Sequence, residues 1–587
     1  MPSTAIPPFV RADFVPATID ATNWEQIEPL VKALLAREVR TPGEFERWLI
    51  DRSELEAACS EARANLYITM TCATDDPAKA KAYSDYVEAI PPKLTPACFE
   101  LDQHQTRLME KVTLDPARYG VLSRATRANV DLFRPENVPI ETQLSLLEQK
   151  YEGINGAMTV TFDGREQTLP QMARYQELTD RSQREAAWRA VADRRLNDES
   201  KLDSLYDEMI ALRHTIAKNA GFDSYVGYAF KSKHRFDYGV KECLAFHKGI
   251  EEGVVPFMRE LDRKRAKQLG VEPLRPWDLS VDAKGRGPLR PFEGGSQLMS
   301  RSVATFERLD HRLADMLKTM GEDKGGHPSL DLDSRKGKAP GGYQYMRDRT
   351  RRPFIFMNAA GLQRDVVTML HEAGHAFHSL LCVQEPLVSY RHSPIEFAEV
   401  ASMTMELLTL PHLKRPTSAP SAEAFYTDDE SWARHVRSQL ERSVTILPWI
   451  ATVDAFQHWV YANPGHSHEQ RRTAWLALDD RFGNAISWQG LECVRASLWH
   501  RQLHIFTHPF YYVEYGIAQL GALGLWLHAL EKGEKSAVEA YMRALSLGGS
   551  KPLPELFAAA GLKFDFGPDS VKRLTDRVAR EMEKLPE

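Results

Sequence analysis

The sequence predicts a mainly α-helical protein with a small β element near its middle, and three observations support this. Apolar residues recur three and four positions apart along most of the 587-residue chain, which is the spacing of one helix face. Few segments have the apolar pattern of a strand. Hydrophobic residues make up 43% of the chain and charged residues 27%, which is typical of a globular protein with a sizeable core.

Helices are predicted in order from the N-terminus. In the first, Ile27, Val31 and Leu34 lie on one face, and Pro42 marks the first turn of the second. Late in the chain, the apolar stretch 515–530 is too short and too polar to span a bilayer, so we expect a buried helix. The predicted helices cover residues 23–39, 41–64, 75–90, 98–112, 182–219 with a break near Asp198, 241–269 with a kink at Pro256, 366–381, 515–530 and 568–583.

Two segments are predicted to be strands. Residues 157–162 are followed by Asp163-Gly164, a pair typical of a tight hairpin turn. Residues 354–358 form a short apolar strand before the 366–381 helix, and a free edge there could pair with an extended peptide. A loop rich in Gly, Pro, Asp and Lys is predicted between 324 and 342, and its paired glycines indicate either a mobile element or an ordinary turn.

Composition excludes several classes of protein. The net charge of −6, with no basic block, gives no indication of nucleic acid binding. The six cysteines are widely spaced without a Cys-x-x-Cys pair, which is typical of reduced thiols in the cytosol. The N-terminus lacks the basic start and apolar run of a secretory signal. We therefore expect a cytoplasmic protein with no nucleic acid or membrane partner.

The strongest motif is His-Glu-Ala-Gly-His at residues 371–375. Positions i and i+4 share a helix face, so His371 and His375 can present two imidazoles to one metal ion. Glu372 is offset by one residue, which is where a general base for a metal-activated water must stand. Two core-facing histidines on an amphipathic helix are the alternative, but the apolar flanks favour a metal because buried polar groups need partners.

Two neighbours of the motif have structural alternatives. Gly374 in a helix interior costs about 1 kcal/mol relative to Ala, which indicates close approach of another backbone, of the substrate or of a packed helix. His378 shares the face of His371 and His375 but lies too far along to ligate the same ion comfortably. We expect His378 to be a hydrogen-bonded structural residue.

A third ligand is expected downstream, within the sequence SPIEFAEVASMTMELL. Ser393-Pro394 predicts a helix start, with Ser as the cap. Glu396 lies near that end, where a carboxylate simply favours the helix N-terminus. Glu399 lies one turn inside among apolar residues and is the preferred ligand. Glu406, two turns further, is either an acceptor for a ligand histidine or a surface residue.

A second group of candidates follows in HIFTHPFYYVEYG, which contains His504, His508, Tyr511, Tyr512 and Tyr515. Peptide hydrolysis passes through a tetrahedral oxyanion, and Tyr hydroxyls or imidazoles can donate hydrogen bonds to it. Composition alone favours an aromatic packing cluster at the start of a buried helix.

These segments together resemble the M3 family of zinc oligopeptidases. The sequence HEAGHAFH is followed, 24 residues after its second His, by the Glu of EFAEVAS, and HPFYYVEYGIAQLGA resembles the oligoendopeptidase F and Pz-peptidase branch. The stretch FRPENVPIETQ onward resembles the N-terminal helical region of that branch, so the similarity covers roughly residues 110 to 580.

The resemblance implies an almost all-helical, prolate body with a deep internal channel and one zinc ion per chain on its floor. It implies His371, His375 and Glu399 as ligands and Glu372 as general base and proton shuttle. It also implies that Tyr511, Tyr515 and a histidine, which aligns as His504 or His508, contact the substrate and its oxyanion. We expect an N-terminal helical region at 1–110, an oligoendopeptidase F-like N-terminal domain at 111–195 and a catalytic domain at 196–587.

The predicted function is therefore zinc-dependent hydrolysis of internal bonds in short, unstructured peptides. One alternative is a dipeptidyl carboxypeptidase on the same site, which needs an anchor for the substrate carboxylate; Arg347, Arg349, Arg351 and Arg352 are candidates. The other alternative is a non-enzymatic, zinc-containing peptide-binding protein, which would use four protein ligands. No oligomeric state or cleavage preference follows from the sequence.

Overall fold

The computed structural model describes residues 13–322, 328–419 and 421–586. Within these ranges the chain is mainly helical with two small sheets, which confirms the predicted fold class. The first helices are α1 (Trp24–Ala36), α2 (Pro42–Thr71), α3 (Pro77–Ala89), α4 (Pro91–Lys111), α5 (Pro116–Leu132), α6 (Val138–Gly156), α7 (Leu169–Met172), α8 (Arg181–Leu196), α9 (Glu199–Asn219), α10 (Tyr225–Ser232), α11 (Val240–Gly253) and α12 (Val255–Leu269).

The second half of the chain continues the helical pattern around the second sheet. Its helices are α13 (Gly294–Leu309), α14 (His311–Gly321), α15 (Gln363–Leu381), α16 (Val388–Arg391), α17 (Ile395–Leu408), α18 (Asp429–Ala462), α19 (His468–Phe482), α20 (Glu492–Ala496), α21 (Leu503–Thr507), α22 (Tyr512–Lys532), α23 (Glu534–Leu545), α24 (Leu553–Ala559) and α25 (Pro568–Glu583). The strands are β1 (Thr159–Phe162), β2 (Arg165–Thr168), β3 (Leu330–Asp333), β4 (Tyr343–Arg347) and β5 (Arg352–Ala359).

Helices α1 to α5 pack around an apolar core of their own. Trp48 is fully buried in it, and its indole N–H donates to the Leu34 carbonyl at 2.9 Å. The second helix begins as predicted, because Thr41 and Glu44 form a reciprocal capping box with Pro42 in the first turn. A second, larger core runs from Leu144 to Met582 and contains the middle of the chain. The division into domains at 111 and 196 stays a prediction.

Some helix bounds differ from the prediction for reasons of proline chemistry. The helix predicted at 98–112 begins at Pro91, because prolines are accepted in the first turn, where the amide needs no partner. The expected kink at Pro256 is instead a break between α11 and α12, which puts this proline in a first turn as well. The predicted break near Asp198 is confirmed, since it separates α8 from α9.

The hairpin of β1 and β2 is confirmed. Asp163 and Gly164 have φ angles of 53° and 69°, so both turn residues are left-handed, as a type I′ hairpin requires. The strands pair antiparallel from Phe162 opposite Arg165 to Thr159 opposite Thr168.

The second sheet corrects two predictions. Its order is β3-β5-β4, so the predicted 354–358 strand is the central strand and presents no free edge. Residues 324–327 of the predicted 324–342 loop lie outside the described residues, and the rest of it contains β3, which pairs parallel with β5. Strand β4 pairs antiparallel with β5, with Gln344 opposite Ile355. The Ile355 amide donates to the Ser329 carbonyl, on the β3 side of β5. Ile355 and Gln344 are therefore a non-hydrogen-bonded pair, and the amide and carbonyl of Gln344 point away from β5, along the outer edge of β4.

The loop before β4 is tied to the sheet by two polar side chains. The Lys338 ammonium is fully buried and bonds Asp331 Oδ1 at 2.8 Å and the Asp333 carbonyl at 2.9 Å. Asn358 donates to the carbonyls of Ala339 and Gly341. These bonds fix the position at which the chain enters β4.

Three helices form a stack in the second core, with α17 packed between α15 and α22. A Cβ on Gly374 of α15 would lie 2.5 Å from the Ala401 carbonyl oxygen of α17. On the other side, a Cβ on Gly521 of α22 would lie 2.7 Å from Val400 Cγ2. Helix packing is therefore the reason for Gly374. The predicted buried helix at 515–530 is confirmed as part of α22.

In the part of the chain that the structure describes, no helix has both the length and the apolar character needed to cross a bilayer.

We predict that Gly374→Ala lowers the free energy of unfolding by about 1–3 kcal/mol, because the added methyl overlaps the backbone of α17 and must push the two helices apart. The measurement is the denaturation midpoint. Gly120→Ala in α5 is the matched control, since a Cβ there meets nothing within 4 Å, and alanine is the better helix former. Equal midpoints for the two variants would contradict the packing account.

Candidate metal centre

The 371–375 motif lies in the middle of α15. Strand β5 leads into this helix, and the turn between them is held by Asp365, whose Oδ2 accepts from the amides of Ala360 at 2.7 Å and Leu362 at 2.9 Å. One turn apart on the same face, the rings of His371 and His375 have centroids 4.9 Å from each other. The predicted pairing of the two imidazoles is thus present in the structure.

Glu399 of α17 completes a group that could hold a metal ion. Its Oε2 lies 3.4 Å from His371 Nε2 and 3.6 Å from His375 Nε2. Ligands at the usual zinc distances of 2.0–2.2 Å in a tetrahedron are roughly 3.4 Å apart. These three residues therefore fit a tetrahedrally coordinated metal ion as its protein ligands, and the fourth coordination position is left open.

A further shell of hydrogen bonds orients these groups. His371 Nδ1 lies 2.6 Å from Glu406 Oε1, and Gln439 donates to the other oxygen of that carboxylate. Ser402 donates its hydroxyl to Glu399 Oε2 at 3.0 Å. Such contacts fix the tautomer and the direction of a ligating imidazole. Of the two alternatives for Glu406, the structure supports the acceptor.

Glu396 lies elsewhere, although it is three residues from Glu399. Its Oε1 accepts from the Tyr238 hydroxyl at 2.6 Å and lies 4.0 Å from the Arg235 guanidinium. The predicted cap at Ser393 is wrong, because α17 begins one residue later and has no side-chain cap. Ser393 Oγ instead lies 3.0 Å from His378 Nε2, which gives His378 the structural hydrogen bond expected of it.

Burial changes the acidity of the polar groups at the motif. Glu372 is 7% exposed, and its burial raises its pKa to about 7. Strand β4 packs against α15, and Gln344 Nε2 lies 3.3 Å from Ser379 Oγ of that helix. Burial also lowers the pKa of His375 to about 4. Burial alone would raise the pKa of Glu399, but His375 and His371 outweigh it and lower the value to about 2.

The predicted aromatic cluster lies within electrostatic reach of Glu399. Burial, followed by the charge of Glu399, raises the pKa of Tyr515 to about 12. The centroids of the Tyr511 and Tyr515 rings are 5.3 Å apart, and the His504 ring lies 5.6 Å from Tyr511 and 5.9 Å from Tyr515. Tyr512 is also in the cluster, at 5.0 Å from His504.

Of the two histidines in this segment, His504 fits the cluster better. His508 is exposed, and its Nδ1 is 2.7 Å from the hydroxyl of its neighbour Thr507. His504 is half-buried, with its Nδ1 2.8 Å from Gln502 Nε2. The other ring nitrogen of His504, Nε2, is therefore the one that can form a hydrogen bond with a bound substrate.

Sequence reasoning missed the residues that set the direction of the tyrosine segment. Phe510, just before Tyr511, has a φ of 60°, which is a strained conformation for a bulky residue. Its amide donates to Gln457 Oε1 at 3.0 Å, and its carbonyl accepts from the Arg235 guanidinium. Arg235 also bonds Glu514 at 2.6 Å. The signal available in the sequence was Glu514, a carboxylate among mostly apolar residues at the start of α22.

A cavity of about 410 Å³ lies between the N-terminal helices and the start of α17. Its walls include Arg52 and Gln105 from the N-terminal helices, and Pro394 and Glu396 from the start of α17. Lys233 lines it as well, and the Lys233 ammonium lies 5.0 Å from the centroid of the Tyr511 ring. The N-terminal helices, about which the sequence was uninformative, thus form part of a cavity that adjoins the tyrosine cluster.

The fold and this centre define a metallopeptidase-like class, and the chain belongs to peptidase family M3, whose model matches residues 174–291 and 311–573. It is 24% identical to the oligoendopeptidase F homolog of Borreliella burgdorferi, over 61% of this chain and 58% of that protein. It is also 24% identical to the oligopeptidase PepF of Bacillus subtilis, over 56% of this chain and 47% of that protein.

The matches to these curated relatives thus span about half of their length. A solved structure of Pz peptidase A with an inhibitor matches more completely, with a TM-score of 0.84, 25% sequence identity, and coverage of 97% of this chain and 99% of the other. The resemblance to family M3 and to its oligoendopeptidase F and Pz-peptidase branch is confirmed.

We predict that Glu406→Gln weakens metal binding by about 10–100-fold, because the imidazole of His371 loses the charged acceptor that orients it. Affinity is measured by competition with a chromophoric chelator. Glu555→Gln on the exposed side of α24 is the control and should bind as the unchanged protein does. Identical affinities for the two variants would show that Glu406 does not support the centre.

Proposed function

We propose that this protein is a zinc-dependent endopeptidase that hydrolyses internal bonds of short, unstructured peptides. One observation carries the proposal: Glu399 Oε2 lies 3.4 and 3.6 Å from the Nε2 atoms of His371 and His375, with the buried carboxylate of Glu372 beside them. This is a donor set of two nitrogens and one oxygen, which is typical of catalytic zinc.

One zinc ion at this centre would be held by His371, His375 and Glu399. When bound, zinc lowers the pKa of water to about 7 and polarises a carbonyl group. A protein that used zinc for structure alone would supply four protein ligands. The three that converge here favour an enzyme over a peptide-binding protein.

Glu372 is the proposed proton carrier. Its raised pKa, about 7, lets the carboxylate accept a proton from the attacking water and release it again to the leaving amine at neutral pH. Tyr511, Tyr515 and His504 are the proposed donors to the oxyanion of the tetrahedral intermediate. Burial and the nearby charge of Glu399 keep the Tyr515 hydroxyl protonated, as a donor must be.

The substrate class is proposed from the surroundings of the centre. The outer edge of β4 has backbone groups directed away from its sheet, and β4 packs against the helix that carries Glu372, so an extended peptide can pair with this edge. The cavity that reaches the tyrosine cluster through Lys233 is too small for a folded protein, and we propose that it takes a flexible chain. Relatives named oligoendopeptidase F and oligopeptidase PepF agree with this size of substrate.

Three of the four arginines that a carboxypeptidase could use as an anchor have other partners. Arg347 is buried and bonds Asn65 at 2.9 Å and the Pro328 carbonyl at 3.2 Å. Arg351 is buried against the Val383 carbonyl, and Arg349 bonds the Pro16 carbonyl at 2.5 Å. These contacts favour the endopeptidase over the dipeptidyl carboxypeptidase.

A cytoplasmic location is also part of the proposal. All six cysteines are free, and free thiols persist in a reducing compartment. Short peptides are the proposed partners.

We predict that Glu372→Gln retains the metal but lowers kcat by about 10²–10⁴-fold, because the amide cannot carry the proton. Turnover is measured by mass spectrometry on a pool of short peptides, alongside the zinc content of each preparation. A variant with full metal and near-normal turnover would rule out the role of Glu372.

We further predict that amidation of a peptide's C-terminus changes kcat/KM by no more than a few-fold, since an endopeptidase needs no carboxylate anchor. The same peptides with a free C-terminus are the control. A loss of about 100-fold on amidation, together with products of fixed length from the C-terminus, would favour the dipeptidyl carboxypeptidase instead.

A further inference from the structure

Two consecutive hydrogen bonds connect helix α18 to the ring of His504. The indole Nε1 of Trp449 donates to Gln502 Oε1 at 2.9 Å. The amide nitrogen of the same glutamine, Nε2, lies 2.8 Å from His504 Nδ1. Gln502 directly precedes α21, yet its side chain makes no capping bond to the first turn of that helix. Its amide group instead joins Trp449 to the histidine.

The Trp449 end of this connection is held independently of Gln502. Its ring packs edge-to-face on Trp475, with the two centroids 5.7 Å apart. The Arg501 guanidinium lies over the same ring, 4.8 Å from its centroid. These contacts fix the indole in place, so the direction of its N–H group is set by the core.

The direction of both hydrogen bonds follows from that fixed N–H. An indole nitrogen can only donate, so the group that faces Trp449 must be an acceptor. This requirement places the oxygen of the Gln502 amide towards the indole and its NH₂ group towards His504, and it excludes the reversed amide. Because an NH₂ group can only donate, His504 Nδ1 must accept and carries no proton.

The ring of His504 holds a single proton near neutral pH. Burial, followed by the charges of His508 and Lys233, lowers the pKa of His504 to about 4. A neutral imidazole has one donor and one acceptor nitrogen, so the proton lies on Nε2 when Nδ1 accepts. Within the described residues, this Nε2 has no hydrogen-bond partner, and the ring lies among the tyrosines of the aromatic cluster.

We propose that Trp449 and Gln502 are positioning residues that fix one tautomer of His504, so that its Nε2–H is a ready donor to the substrate oxyanion. The inference rests on the proposed function, in which His504 is one of the oxyanion donors. The opposite tautomer would direct the lone pair of Nε2 at a negatively charged oxygen and repel it. A donor that is already oriented stabilises the developing charge without reorganisation during the reaction.

The test compares two substitutions of Gln502 in the zinc-loaded protein, at about pH 8, above the ordinary pKa of histidine. Gln502→Glu has nearly the same shape and still accepts from Trp449. Its carboxylate must also accept from His504, which moves the ring proton to Nδ1. We expect kcat to fall by about 10²-fold, as for the loss of one oxyanion donor, with little change in KM. Gln502→Leu leaves the ring free to keep its proton on Nε2, so kcat should fall only a few-fold.

The order of these two variants separates positioning from packing. If Gln502 served packing alone, Gln502→Glu would be the milder change, because it keeps the shape and the bond to Trp449. Gln268→Glu on the exposed side of α12 adds the same charge and is the control, with an unchanged kcat expected. A kcat for Gln502→Glu that equals or exceeds that of Gln502→Leu would overturn the proposal.

Nitrogen NMR of protein with isotope-labelled histidine reads the tautomer without any need for activity. The two ring nitrogens of a neutral imidazole differ in chemical shift according to which one holds the proton, and the signals lost in His504→Gln identify His504. We expect the proton on Nε2 in the unchanged protein and on Nδ1 in Gln502→Glu. Trp449→Phe frees the Gln502 amide to turn and should show both forms.

The NMR result also separates this proposal from the proposed function. A proton on Nδ1 of His504 in the unchanged protein would overturn the positioning role of Trp449 and Gln502. A proton on Nε2 in a zinc-loaded protein that cleaves no peptide would support the assigned tautomer and contradict the proposed function alone.

Discussion

The close contact between α15 and α17 is the constraint on which the candidate centre depends. Two histidines on one helix face cannot define a metal site by themselves, since they leave the third ligand to another element. Here Gly374 lets the backbone of α17 approach to a distance that no side chain would allow, with Ala401 directly over it. That approach brings Glu399 within 3.6 Å of both imidazoles. The ligand set of the centre therefore depends on the close packing of α15 against α17.

The electrostatics of the centre follow from the same burial. Removal from water raises the pKa of Glu372, because the charge of His371 offsets its burial only in part, whereas two imidazoles lie against Glu399 and lower its pKa. Two glutamates in one buried place are therefore suited to different tasks, one to carry a proton and the other to hold a cation. Glu396 shows the opposite outcome, because its hydrogen bond to Tyr238 commits it to a structural cluster.

Much of the centre could be predicted from the sequence, because its residues are local. The spacing of His371 and His375 and the turn at Asp163-Gly164 are determined by backbone geometry within a few residues. The strands β3 and β4 could not be found in this way, since a polar edge strand is defined by its partner and not by its own pattern. The same holds for Arg235, which reaches Phe510 across 275 positions, and for the N-terminal helices that line the cavity. The domain boundaries stay predictions.

The most direct test of the central claim is X-ray diffraction at the zinc absorption edge from crystals of the metal-loaded protein. The account predicts an anomalous peak about 2.0–2.2 Å from His371 Nε2, His375 Nε2 and a carboxylate oxygen of Glu399, with Glu372 beside it but unbound. A peak coordinated by Glu396, or no peak between the two histidines in protein that contains zinc, would contradict it.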